Sequence, residues 1–253
     1  MIQIVNKHVS VLKKLKEYKE QQRKSFALLI DPDNIDERGC IDLLHLAETA
    51  CVDFLFIGGS LITGNNLGRV VEICKSHTQI PVVLFPGSSL HIDTEADAIL
   101  FLSLISGRNP DFLIGQHILA APILKRSRLE ILPTGYMLVD TGRQTTVSFI
   151  SNTTPIPYDK PDVAACIAMA GEMLGLQIIY MDGGSGAEKP ISPQMISAVR
   201  KAIDTPLIVG GGINSPEKVQ IAIKAGADVI VVGNAIEKDT QLIHKIMQTI
   251  RAF

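Results

Sequence analysis

Three times in its last third the chain runs through a short apolar stretch and stops at glycine. Residues 176–180 lead into Met181-Asp182-Gly183-Gly184-Ser185-Gly186, residues 206–209 into Gly210-Gly211-Gly212, and residues 229–232 into Gly233-Asn234. Each stretch has the pattern of a strand buried on both faces, and each glycine turn opens into a helix-like segment. Tight-turn geometry explains one such turn easily; a coordinated set of three points to a fold that gathers consecutive strand ends. Their backbone N–H groups then converge on one point, and a phosphate is the expected occupant. Asp182 is delivered to the same place as a carboxylate at a strand end.

The same rhythm runs through the rest of the chain. Continuous apolar runs at 25–30, 52–57, 81–85, 99–105 and 131–139 precede the three above, with helical patterns at 36–50, 67–76, 109–125 and 161–174. Ser215-Pro216-Glu217 has the cap, proline and early acid that start a helix, and Asp239 or Thr240 is expected to cap the last one. Eight buried-type strands alternating with helices predict one α/β domain over residues 1–253, a (β/α)8 TIM barrel with phosphate-binding loops after strands six, seven and eight. A doubly wound sheet would carry one dominant glycine fingerprint near the start, and none is there.

Residues 1–24, with Ile4, Val9, Leu12 and Leu15 among lysines, fit an amphipathic helix capping the barrel floor. The polar stretch 141–160 is expected to be a loop, with Thr153, Thr154, Pro155 and Pro157 interrupting any helix. Its length suggests a lid or a substrate wall. In a barrel the loops after the strands share one face, so Asp31, Ser60, Asp140, Asp182 and the glycine turns are expected to meet there.

Composition narrows the partners. Hydrophobic residues make up 46% of the chain, enough for a large core. Lys and Arg total 24 against 26 Asp and Glu, without a basic stripe carrying aromatics, which argues against nucleic acid. No apolar run is long enough to span a bilayer and no signal-peptide core opens the sequence, so a cytoplasmic protein without stable membrane insertion is expected. Cys40, Cys51, Cys74 and Cys166 lack zinc-site spacing and are expected to be reduced core thiols. His45, His91, His117 and His244 form no ligand pattern.

The carboxylates allow more than one chemistry. Asp31 and Ser60, at the ends of adjacent strands, could offer oxygens to a magnesium ion, or Asp31 could simply open a turn before Pro32. Asp182 could cap its loop, but a carboxylate beside an anion site is better explained by a paired substrate hydroxyl. Asp140 would suit an acid catalyst in a phosphosugar barrel.

Residues 29–33 (Leu-Ile-Asp-Pro-Asp), Gly58-Gly59-Ser60, residues 158–161 (Tyr-Asp-Lys-Pro), residues 180–186, residues 209–213 and Val232-Gly233-Asn234 occur together and in order over about 25–237. The combination resembles the geranylgeranylglyceryl phosphate synthase family. The resemblance implies a magnesium-dependent prenyltransferase that joins a prenyl diphosphate, geranylgeranyl by the family's name, to the 3-hydroxyl of sn-glycerol 1-phosphate. The products are an ether lipid precursor and diphosphate. It implies Asp31 and Ser60 as the metal site. Tyr180, Met181, Asp182, Gly183, Gly184, Ser185, Gly186, Gly211, Gly212, Gly233 and Asn234 become the glycerol-phosphate site, with Tyr180 and Asp182 catalytic. Asp182 would orient or deprotonate the acceptor hydroxyl, where many members carry the longer glutamate.

The resemblance further implies a homo-oligomer, a dimer or hexamer, and irregular chain in place of a helix near strand three. Pro86, Gly87, Ser88 and Ser89 within residues 86–96 suit that departure. Two rivals stand beside it: a phosphosugar isomerase or cyclase using Asp31 and Asp140 as an acid/base pair, and a catalytically silent phospholigand-binding barrel.

Overall fold

A computed structural model describes residues 10–253. Eight parallel strands close into a barrel in sequence order: β1 (Ser25–Ile30), β2 (Phe54–Gly59), β3 (Val82–Pro86), β4 (Ala98–Leu104), β5 (Glu130–Leu138), β6 (Ile178–Asp182), β7 (Leu207–Gly210) and β8 (Val229–Val232). The helices are α1 (Val11–Glu20), α2 (Glu37–Ala50), α3 (Leu67–His77), α4 (Gln116–Arg126), α5 (Thr146–Ile150), α6 (Pro161–Met173), α7 (Pro193–Ala202), α8 (Pro216–Ala225), α9 (Asn234–Lys238) and α10 (Leu242–Ile250). The (β/α)8 barrel expectation agrees with this, strand for strand.

The strands are continuous apolar runs because both faces are covered. Odd and even positions enter two cores. Ala27, Phe54, Phe56, Leu100, Leu138, Ile208 and Val231 fill the barrel interior, while Phe26, Leu28, Leu55, Ile57, Met181 and Val209 pack outward against the helices. Burying a side chain of this size contributes roughly 1.5–3 kcal/mol. Asp228, just before β8, joins the lower rim: it accepts from Lys24 Nζ at 3.1 Å, Arg200 Nη1 at 2.8 Å and the Leu207 N–H at 3.0 Å.

The floor is closed by α1. Glu130, opening β5, accepts from Ser10 Oγ at 2.6 Å, Val11 N–H at 2.6 Å and Leu12 N–H at 3.2 Å, which pins a helix N-terminus on a carboxylate. Val11 and Leu15 then enter the inner core, as a floor helix should. Ile4 and Val9 of the expected helix lie outside the described residues.

Several expectations are corrected. The polar stretch after β5 is not helix-free: α5 forms ahead of its prolines, started by a capping box between Thr145 and Ser148. The patterned stretch at 109–125 opens with a π-helical turn, Asp111–Gly115, before α4. Neither Asp239 nor Thr240 holds the cap position of α10; Gln241 does, and the Asp239 carboxylate takes its N–H at 3.1 Å. Cys51 and Cys166 are exposed, since Cys51 ends α2 in a left-handed conformation and Cys166 lies on an outward face; Cys40 and Cys74 are buried. Ser215 caps α8 as expected, accepting from the Lys218 N–H. No helix joins β3 to β4. Among the described residues no helix is long and apolar enough to cross a membrane.

Candidate active site

The mouth above the strand ends holds a cavity of about 540 Å³, walled by the ends of β1, β2, β6, β7 and β8. Asp31, Ser60, Tyr180, Asp182, Gly184, Ser185, Gly186, Gly211, Gly212, Gly233 and Asn234 all line it. The three glycine turns meet there: the Asn234 side chain after β8 donates to Ser185 Oγ after β6 at 3.1 Å. At Gly211 φ is +83°, and a Cβ would sit 2.5 Å from the Gly183 nitrogen. At Gly184 φ is +79° with Thr145 Oγ1 2.8 Å from a Cβ position. Only glycine fits such turns, and they leave the wall to backbone groups.

Three residues expected at the site are placed differently. Met181 turns outward into the shell between sheet and helices, because side chains alternate along β6 and its neighbours Tyr180 and Asp182 take the inner face. Gly183 lies behind the cavity wall, donating its N–H to the Gly210 carbonyl and accepting from Thr141 Oγ1. Asp140 does not join the cluster. It is exposed, lies beyond the end of β5, and its Oδ1 accepts from the Gly142 N–H at 2.9 Å, so the Asp31–Asp140 pair does not form at the cavity.

Asp182 is the buried acid of the site, 8% exposed. Its Oδ2 accepts from the Tyr136 hydroxyl at 2.6 Å and its Oδ1 from the Gly184 N–H at 2.9 Å. Burial pushes the carboxyl above its ordinary range, and the Tyr136 bond is the chief opposing influence. Burial and then the Asp182 charge hold the Tyr136 hydroxyl well above its own range, so it stays a donor. Tyr136 on β5 stands in register with Tyr180 on β6, their rings edge to face at 5.5 Å, and Phe85 stacks on Tyr180 at 5.3 Å.

These aromatics stand where the cavity meets a second space. A narrow slot of about 90 Å³ runs from Gly59, Ser60 and Phe85, which it shares with the cavity, between Leu100, Leu102 and Tyr136 on one side and Phe112, Ala120 and Leu124 on the other. Tyr136 thus presents its ring to an apolar groove and its hydroxyl to an acid of the polar cavity. Sequence reasoning missed it, along with Phe85 and Arg143, which line the cavity. Tyr136 looked like one more apolar strand residue; the available signal was its place two residues before the end of its strand, the same place that Tyr180 holds in β6.

On the opposite wall, a Cβ built on Gly59 would lie 3.6 Å from Asp31 Oδ2, so the acid overlies the turn that carries Ser60. Asp31 also forms the turn expected of it, accepting from the Asp33 N–H at 3.0 Å. Burial raises its carboxyl, and burial followed by the Asp31 charge raises Glu237, which lines the same cavity from α9. Among the described residues no cationic side chain pairs with Asp31, and no three His, Cys, Asp or Glu side chains converge on one point. One or two carboxylates with a hydroxyl is a donor set that suits magnesium, whose remaining ligands are water and substrate phosphate oxygens.

Known proteins resemble this chain over nearly its whole length. The PcrB family model matches residues 17–251. A geranylgeranylglyceryl phosphate synthase of Spirosoma linguale is 57% identical over 239 residues, covering 94% of this chain and 96% of the relative. The crystal structure of (S)-3-O-geranylgeranylglyceryl phosphate synthase from Thermoplasma acidophilum, in complex with its substrate sn-glycerol-1-phosphate, superposes with a TM-score of 0.91 at 31% identity. It covers 97% of this chain and 100% of that one. Tryptophan synthase subunit alpha from Legionella pneumophila, at 15% identity and a TM-score of 0.60, shares the fold alone. By these likenesses the chain belongs to the PcrB family.

Proposed function

We propose that this protein joins a prenyl diphosphate, geranylgeranyl by likeness to its relatives, to the 3-hydroxyl of sn-glycerol 1-phosphate. The observation that carries the reading is the junction itself: an apolar slot and a glycine-walled cavity share Gly59, Ser60 and Phe85, with Tyr136 spanning to Asp182. A reaction that unites a hydrocarbon tail with a small phosphate needs those two environments side by side.

The acceptor phosphate lies against the backbone N–H groups around Gly184, Gly186, Gly211, Gly212, Gly233 and Asn234, and this fixes the glycerol 3-hydroxyl beside Asp182. As the bond between the allylic carbon and the diphosphate oxygen breaks, the hydroxyl oxygen bonds to that carbon and its proton passes to Asp182. A carboxyl raised by burial is a better proton acceptor than an ordinary one, and the Tyr136 donor keeps it aimed. Asp31 and Ser60 would hold a magnesium ion, which when bound supplies neutralisation of the diphosphate leaving group. The faces of Phe85, Tyr136 and Tyr180 offer electron density to positive charge on the tail.

A homo-oligomer belongs to the same proposal, supported by the exposed Ile114, Ile118, Leu119 and Ile123 along the π turn and α4. A cytoplasmic location is supported by the four free thiols.

The test is diphosphate release from sn-glycerol 1-phosphate mixed with prenyl diphosphates of increasing length, with and without magnesium. Release that needs both substrates and the metal, and that is lost in Asp31→Ala and Asp182→Ala with the fold retained, is the expected result. Full activity in both variants would sink the site assignment. Glycerol-phosphate binding without release at any length would leave a phospholigand-binding barrel instead.

A further inference from the structure

The segment after β5 is pinned to the β6 turn at two points. The buried Thr141 donates its hydroxyl to the Gly183 carbonyl at 3.0 Å, and the buried Thr145 packs against Gly184 while its N–H donates to Ser148 Oγ at 3.0 Å. An Asp140 turn closes on the Gly142 N–H, and residues 142–144, between the anchors, stand in the open. Arg143 is the side chain that leans back. It lines the cavity, with its guanidinium carbon and Nη2 both 3.9 Å from a Cβ position on Gly186.

Among the described residues Arg143 makes no ion pair, and no side-chain hydrogen bond of its guanidinium is present; the nearby Glu188 carboxylate packs on Gly142 without pairing with it. Neighbouring cations are engaged. Lys218 donates to the Gly212 carbonyl and to Asn214 Oδ1, Lys189 lies 3.5 Å over the Tyr158 ring, and Lys238 stands beside Glu237. An exposed guanidinium held over a glycine-walled phosphate cup, with its donors unspent, is the geometry of an anion clamp.

We propose that Arg143 binds the phosphate of the acceptor substrate from above, completing with side-chain donors a site whose floor is backbone N–H. This deepens the transferase reading and rests on it. The assignment is to the acceptor rather than the diphosphate because Arg143 overlies the turn after β6, which stands across the closed barrel from Ser60 just after β2.

Calorimetric titration of sn-glycerol 1-phosphate, inorganic phosphate and geranylgeranyl diphosphate into the wild-type protein, Arg143→Ala and Arg143→Lys tests it. Arg143→Ala should weaken both glycerol phosphate and inorganic phosphate roughly thirtyfold, as loss of a charge-assisted bidentate contact does. Arg143→Lys should recover only part of that, because the charge returns without the fork. Diphosphate affinity should stay within about twofold, and in turnover the KM for the acceptor should rise while kcat at saturation holds. Unchanged phosphate affinities in Arg143→Ala, or an equal loss for the diphosphate, would overturn the clamp. If the wild type binds inorganic phosphate but no glycerol phosphate, the transferase reading fails and the clamp is judged on the inorganic phosphate arm alone. Binding of neither by the wild type overturns both.

Discussion

Replacing Tyr136 by phenylalanine removes one oxygen and leaves the ring in the groove. The bond lost is the 2.6 Å donation to Asp182 Oδ2, made inside the molecule where water does not replace it. Hydrogen bonds to charged groups contribute about 1.5–3 kcal/mol, so a loss of about 2 kcal/mol is expected where Asp182 is ionised. The pH dependence gives the sign. Burial raises the folded-state carboxyl, so the folded protein holds that proton more tightly than the unfolded chain does. Stability from this group therefore falls as pH climbs from the ordinary carboxylate value, about 3.9, through the raised one.

Without the tyrosine donor the carboxyl rises further, so the total fall is larger and reaches higher pH. Thermal melts at pH 8 should show Tyr136→Phe about 4–8 °C below the wild type, with a smaller gap near pH 4.5. The acid limb of the pH–rate profile should move upward in the same variant. An equal gap at both pH values, or a larger one in acid, would refute the assignment of Tyr136 as the donor that holds an ionised Asp182.

Gly211→Ala should weaken binding of sn-glycerol 1-phosphate and cost about 1–3 kcal/mol in denaturant titration, since a positive φ and a 2.5 Å approach to Gly183 both oppose a side chain. Ala120→Phe should block the slot it lines, shortening the longest prenyl diphosphate turned over while leaving glycerol-phosphate affinity intact by calorimetry. Asp228→Ala strands Lys24 and Arg200 at the lower rim and should cost about 3–5 kcal/mol in urea unfolding without altering the substrate constants of the folded fraction.

The barrel was legible because its strands are sheathed on both faces and therefore appear as unbroken apolar runs, such as 25–30 at β1 and 229–232 at β8. The glycine turns were legible because positive φ excludes nearly every other residue from positions such as Gly211. Side-chain direction was harder. Met181 sits between two inward neighbours and turns outward by strand alternation, which a motif taken as a block conceals. Asp140 follows an apolar run just as Asp182 does, yet β5 ends two residues earlier and the side chain spends itself on a local turn. Tyr136 reaches Asp182 and Arg143 overlies Gly186, each distant in sequence, and no local pattern announces such contacts.

Every strand-to-strand crossover in this barrel carries a helix except the one from β3 to β4. That gap is where the slot between Leu100 and Ala120 opens, walled there by irregular chain at Gly87, Ser88, Ser89 and Ile92 in place of a helix. Under the proposed chemistry the substrate's hydrocarbon supplies the missing staves of the cask. The loaded protein is then the more completely built one, gaining cohesion with each carbon it takes in. Turnover hands that borrowed masonry back with the product, so letting go of the lipid means partly dismantling the wall that held it.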